Sequence, residues 1–178
     1  MWIALFRGIN VGGNRLLPMK DLTRLLERAG FEGVRSYIQS GNIVFRSTKG
    51  NAKSFATRIG DLVQEGHGFL PKVIVLTVNE LARAVAANPF HEASAEPGAV
   101  HLYFLSDSPG APDLQSLDRL RAGREAFALT GRVLYVYAPD GFGTSKLAAR
   151  AERCLGVDAT ARNWRTVTRL LAIARDSE

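Results

Sequence analysis

The sequence predicts an α+β protein made of two ferredoxin-like halves. Each half is an antiparallel sheet with helices packed on one face, and the second half has a reduced last strand. Three observations predict this. Patterning over residues 1–78 runs strand, helix, strand, strand, helix, strand, the split βαβ order. The order strand, helix, strand, strand, helix begins again at residue 100, after the turn-rich stretch "HEASAEPGA". The composition, 46% hydrophobic and 22% charged, lies in the globular range, so 178 residues supply enough apolar material for a core. The repeat lies in element order and not in residue identity. The expected organisation is a first subdomain over 1–78, a connecting helix and loop over 79–99, and a second subdomain over 100–178.

Each element has a local reason. "WIALFR" is a short apolar run, read as a buried strand. "GINVGGNRLL" is glycine-rich and turn-like. Met19, Leu22, Leu25, Leu26 and Ala29 recur at helical spacing, with Pro18 suited to a helix start and Gly30 to its end. "VRSYI" and "NIVFRS" read as strands around the polar turn Gln39-Ser40-Gly41-Asn42. Ala52, Phe55, Ala56, Ile59, Leu62 and Val63 mark a second helical face, and "KVIVLTV" is a Val/Ile-rich strand. Thr77 with Glu80 forms a capping box for a third helix, which Asn88-Pro89 stops.

In the second half "VHLYFL" is a strand, and Leu114, Leu117 and Leu120 mark a helix. "AFALT" and "VLYVYA" are strands around Gly131-Arg132, and "TSKLAARAERCLG" is a helix. The last strand is missing or reduced to a short piece near Asp158 to Ala161. A final helix carries Trp164, Val167, Leu170, Leu171 and Ala174 on one face.

The net charge is +6, from 23 basic and 17 acidic residues, with a pI near 9.9. That balance favours anionic partners or serves only to keep the protein dispersed. The single cysteine, Cys154, rules out an internal disulfide and fits a reducing compartment. Among Leu147, Ala148, Ala151 and Leu155 it reads as a small buried apolar residue. No apolar run approaches membrane-spanning length, and the N-terminus does not read as a signal peptide, so the expected location is cytoplasmic and no membrane partner is expected. His67, His91 and His101 fall at no metal-ligand spacing, and no nucleophile stands with a His and a carboxylate in a recognisable context. No metal site, no cofactor and no catalytic residue is assigned.

The ferredoxin-like order places the end of the first strand at the same sheet edge as the turn between the second and third. Arg7, Gly8 and Asn10 then neighbour Gln39, Ser40, Gly41 and Asn42. Gly12-Gly13 can turn backbone N–H groups inward to form a concavity for anions, and Arg7 can offer a bidentate guanidinium. Asn10, Ser40 and Asn42 would fix orientation. The competing reading is that Gly and Asn only make turns. "RGINVGGN" has neither P-loop nor dinucleotide-binding spacing.

A second concentration lies toward the C-terminus. Arg150 and Arg153 share one side of a helix, and Arg162, Arg165 and Arg169 are spaced to do the same on the next, a basic stripe or a solvated face. Thr160 or Asn163 suits an N-cap for the last helix, with Arg162 and Arg165 beside its free N–H groups. Trp164 is either a stacking platform or a core residue. In "GFGTSKL", Ser145 and Lys146 start a helix, as a phosphate site or simply a cap. The candidate ligand-binding set is therefore Arg7, Asn10, Gly12, Gly13, Ser40, Asn42, Lys146, Arg162, Asn163 and Arg165.

The stretches "LFRGINVGGNRLLPM", "YIQSGNIVF", "NPF", "GTSKL" and "TARNWRTV", in this order, resemble an uncharacterised bacterial family, domain of unknown function 1697. Arg7 to Gly13 matches the family's "RGINVGG", Tyr37 to Asn42 its "YIQSGN", and Thr160 to Thr166 its "T-x-RNW-x-T". The family often has a basic residue just after the double glycine, where this chain has Asn14-Arg15. The resemblance spans nearly the whole chain. It implies a two-part α+β protein of the bacterial cytoplasm, and it implies no reaction. The leading expectation from the residues is a binding protein for a phosphate-bearing ligand, a nucleotide, nucleic acid or other anion, at polar loops between the halves. The alternatives are an enzyme acting on a small phosphorylated or carboxylated metabolite, and a protein-protein interaction module. The oligomeric state is not legible.

Overall fold

The computed structural model describes residues 1–10, 15–92, 96 and 98–177. The elements run β1 (Trp2–Arg7), α1 (Met19–Arg28), β2 (Glu32–Ser36), β3 (Asn42–Arg46), α2 (Ala52–His67), β4 (Lys72–Thr77) and α3 (Val78–Ala86). They continue β5 (Val100–Leu105), α4 (Leu114–Arg119), β6 (Ala126–Thr130), β7 (Val133–Tyr137), α5 (Lys146–Leu155), β8 (Ala159–Asn163) and α6 (Trp164–Arg175). The strands form two four-stranded sheets, in the orders β2-β3-β1-β4 and β6-β7-β5-β8. Every neighbouring pair is antiparallel. Both sheets thus have the ferredoxin-like order that the element sequence predicts. By compactness the chain divides into one unit of Met1–Arg83 with the C-terminal segment from Arg169, and a second of Ala84–Thr168.

In the first unit, alternation along the strands sends Ala4, Phe6, Ile43, Phe45 and Val75 against α1 and α2, where Leu22, Leu26, Phe55, Ile59 and Val63 complete a core. The opposite face carries Ile3, Leu5, Val44, Ile74 and Leu76, which are also buried. Trp2, Phe31, Phe45 and Phe55 meet edge to face, with ring centroids 5.0 to 6.0 Å apart. Such pairs add about 1 kcal/mol each beyond area burial. Because Trp2 pairs with Phe45 in the ladder, this cluster anchors the sheet end where β1 starts. The end where β1 finishes is left to loops.

In the second unit Tyr103, Leu105, Leu134, Val136 and Ala159 pack against Leu117, Leu147, Ala151 and Leu155 of α4 and α5. The Tyr103 hydroxyl donates to the Ala148 carbonyl at 2.7 Å, and the Tyr135 hydroxyl to that of Ala84 at 2.9 Å. Caps fall where the sequence puts them. The Thr77 hydroxyl accepts from the Glu80 N–H while the Glu80 carboxylate accepts from the Thr77 N–H. The Ser145 hydroxyl accepts from the Ala148 N–H at 3.0 Å, so "GTSK" builds a capped helix.

Two local expectations are corrected. The second strand ends at Ser36 and not at Ile38. Ile38 has φ +52, a left-handed conformation outside the extended range of a regular strand, so the connection to β3 is longer than its apolar letters suggest. In addition, Arg162 does not belong with Arg165 and Arg169 on a helix. The last strand, expected as a remnant near 158–161, is β8, five residues against the six of β4. It pairs with β5 from Ala159 opposite Leu105 to Asn163 opposite His101. Its alternation is real, with Ala159 and Ala161 toward the helices and Thr160 and Arg162 on the other face. Small and polar letters with weak β preference hid that period.

Candidate functional site

The first unit brings the end of β1 and the β2–β3 connection together. The Phe6 N–H donates to the Gly41 carbonyl at 2.8 Å, and Leu5 stands opposite Asn42 in the ladder. The join is close. A methyl group on Gly41 would lie 2.6 Å from both Phe6 Cβ and Ile9 Cδ1, and Gly41 has φ +75, so only glycine fits. Asn10 fastens the loops on either side. Its amide donates to the carbonyls of Leu17 and Gln39, each at 2.8 Å, and its Oδ1 accepts from the Leu17 N–H at 2.7 Å. Asn42 is wholly buried and donates to the Tyr37 carbonyl and the Ser40 hydroxyl, each at 3.0 Å.

Of the sequence-predicted residues, Asn10 and Asn42 therefore spend their amides on holding this edge. Ser40 is exposed on the tip, and Arg7 is half-buried at the last position of β1. Gly12 and Gly13 lie outside the described residues.

Two properties set this edge apart. The non-glycine residues with left-handed φ among the described residues are Asn10, Arg15 and Ile38, and all belong here. Such conformations are costly and concentrate where surroundings enforce them, often at functional sites. The edge is also cationic. Arg7 stands directly opposite Lys72 in the β1–β4 ladder, an unfavourable like-charge pair, though each takes other contacts. Arg15 is exposed nearby, and the stretches 7–10, 15–18, 35–42 and 69–72 contain no acidic residue. Leu16 and Ile38 are exposed apolar side chains one residue before the Leu17 and Gln39 carbonyls that Asn10 joins.

Sequence reasoning missed Lys72 and Arg15 as members of this edge. A signal was present: residues 1–83 hold twelve Lys and Arg against six Asp and Glu, while residues 84–178 hold eleven of each. All of the excess charge lies in the first half.

The second unit collects the remaining candidates at the edge where β5 begins. His101 faces Asn163 across the ladder, and Phe142, in the turn before α5, stacks on the His101 ring with centroids 3.6 Å apart. Asn163 caps α6 by accepting from the Thr166 N–H at 2.8 Å. Lys146, the first residue of α5, and Arg165 are exposed, and Trp164 is half-buried. Arg162 is buried, and its guanidinium donates to the Thr160 hydroxyl and the Ala161 carbonyl, each at 2.8 Å. Burial pushes its pKa down to about 10, because the charged form loses hydration. Burial likewise lowers the His101 pKa to about 4, and its Nδ1 has no hydrogen-bond partner among the described residues. Among the described residues no three His, Cys, Asp or Glu gather to hold a metal ion, and no helix is long and apolar enough to cross a membrane.

No curated protein matches this sequence. The fold is similar to that of the conserved bacterial protein SP0830 from Streptococcus pneumoniae, at 21% identity and a TM-score of 0.71, over 97% of each chain. That likeness covers both sheets and speaks to the fold alone. The family model described as protein of unknown function (DUF1697) matches residues 1–135, most of the chain, and this protein belongs to that family.

Proposed function

We propose that this chain is a binding protein for phosphate-bearing ligands, and that it holds a nucleic-acid strand at the edge of the first unit where Arg7, Arg15 and Lys72 gather. The observation that carries this reading is the charge asymmetry, with twelve cations against six carboxylates in residues 1–83 and an acid-free edge within them. Charge spread over a whole unit suits an extended polyanion better than a single phosphate, because affinity then grows with the number of phosphates neutralised. Asn10 and Asn42 act as braces that hold the loops in an otherwise unfavourable conformation, and Ser40 lies exposed on the tip between them. Lys146 and Arg165 are secondary contributors on the second unit. The single cysteine agrees with a cytoplasmic setting, where thiols stay reduced.

The test is fluorescence anisotropy of labelled single-stranded RNA and DNA titrated with the full chain across salt concentrations. Binding that weakens linearly in log–log form with salt supports the reading. No affinity at low ionic strength ends it.

A second reading has its own observation. Leu16 and Ile38, 65% and 50% exposed, give the same edge an apolar component that suits a protein partner. Molar mass by light scattering, with and without Leu16→Ser and Ile38→Ser, tests the case in which that partner is a second copy.

A further inference from the structure

The second unit contains a groove that none of the roles above uses. It lies between α4 and α5, has a volume of about 550 Å³, and is lined by Asp113, Arg119, Leu120, Arg150, Arg153 and Cys154 among others. Its walls are tied together: the Asp113 N–H donates to the Cys154 carbonyl at 2.8 Å, which fixes the start of α4 against the end of α5. The one carboxylate in the lining is already engaged, since Asp113 Oδ1 accepts from the Ser116 N–H at 2.9 Å. Hydrogen bonding from the Ser116 side chain, then from its N–H, with a smaller contribution from the field of Arg119, holds the Asp113 pKa below the usual carboxylate range.

The three arginines are the unusual feature. Arg150 and Arg153 sit one turn apart on the same face of α5, where like charges repel. Among the described residues no hydrogen bond or salt bridge occupies the guanidinium of Arg119, Arg150 or Arg153. Three forked donors thus face one groove with a single, already bonded carboxylate. Beside them Leu120 and Cys154, both half-buried, supply an apolar strip. A planar guanidinium fork matches phosphate oxygens in a way a lysine does not. The volume falls in the range of small-ligand sites, about 300–1,000 Å³.

We propose that this groove binds a small phosphate monoester of mononucleotide size. Its phosphate sits among Arg119, Arg150 and Arg153, and its organic part lies against Leu120 and Cys154. The site is independent of the edge of the first unit, and either can fail without the other.

Cys154 makes the test local, because it is the only thiol in the chain. The rate of its alkylation by neutral iodoacetamide is measured on the full protein with AMP, adenosine or inorganic phosphate. AMP slows labelling about tenfold once its concentration reaches about ten times Kd, following simple occupancy. Inorganic phosphate protects at higher concentration, and adenosine does not. The double variant Arg150→Gln, Arg153→Gln keeps the melting temperature, since both residues are exposed, and loses the protection when its labelling with AMP is compared with its own labelling without ligand. The variant Arg7→Gln, Lys72→Gln keeps it. Labelling unaffected by AMP, protection by adenosine equal to that by AMP, or protection that survives in the Arg150/Arg153 variant would each overturn the assignment.

Discussion

At the end of β1 the β2–β3 connection runs from Tyr37 to Gly41, with left-handed Ile38 and a glycine packed against Phe6 and Ile9. At the topologically equivalent end of β5 the β6–β7 connection is two residues, Gly131 and Arg132. The same backbone bond closes both: the Phe6 N–H donates to the Gly41 carbonyl at 2.8 Å, and the Leu105 N–H to the Arg132 carbonyl at 3.0 Å. A ferredoxin-like half therefore needs only a two-residue turn at this point. The longer connection in the first half, its left-handed residues and its Asn braces exceed what the topology demands. The excess of positive charge lies in the same half. That coincidence supports the proposed binding edge in the first unit.

The comparison can be broken at its glycines. Gly41→Ala meets both a left-handed φ and contacts far inside van der Waals range, and should cost about 3 kcal/mol in chemical denaturation. Gly131→Ala meets only its φ of +56, with no atom within 4 Å, and should cost about 1 kcal/mol. Equal costs would mean the two connections are equally relaxed. Next in size is Asn10→Ala. It strands two carbonyls and one N–H, for about 2 kcal/mol of lost stability. A neutral result would remove Asn10 as a brace.

The second unit offers a contrast in pH. The folded His101 pKa, about 4, lies below its ordinary 6.5. The unfolded chain therefore binds the proton first, and the stability tied to the neutral ring is complete above pH 6.5 and lost as pH falls toward 4. The loss should be about 2 kcal/mol, allowing for partial exposure. Thermal melts of wild type and His101→Phe should converge in pH dependence only if another group is responsible. Smallest is Ser145→Ala, expected to cost about 1 kcal/mol by uncapping α5.

Much of this was legible in the letters. The apolar run "WIALFR", the Val/Ile-rich "KVIVLTV", helical spacing from Met19 to Ala29 and the Thr77/Glu80 box all mark elements that the structure contains. The meeting of the end of β1 with the Gly41 turn followed from element order alone, because topology fixes which strand ends share an edge. β8 resisted because "ATARN" offers no large apolar side chain, and its strand character comes from pairing with β5. Lys72 was hidden for a related reason. Only the register puts it opposite Arg7. The roles of Asn10 and Asn42 were half legible. Their type suggests turns or ligands equally, and only the hydrogen bonds decide how their amides are used.

The most direct measurement is the salt dependence of single-stranded RNA binding for three proteins: wild type, Arg7→Gln/Lys72→Gln, and Lys146→Gln/Arg165→Gln. If the first unit carries the binding edge, the Arg7/Lys72 variant reduces the log–log slope by about 1.4, while the Lys146/Arg165 variant changes it little. Wild-type protein with no affinity at low salt, or a larger loss of slope in the Lys146/Arg165 variant, would contradict that assignment.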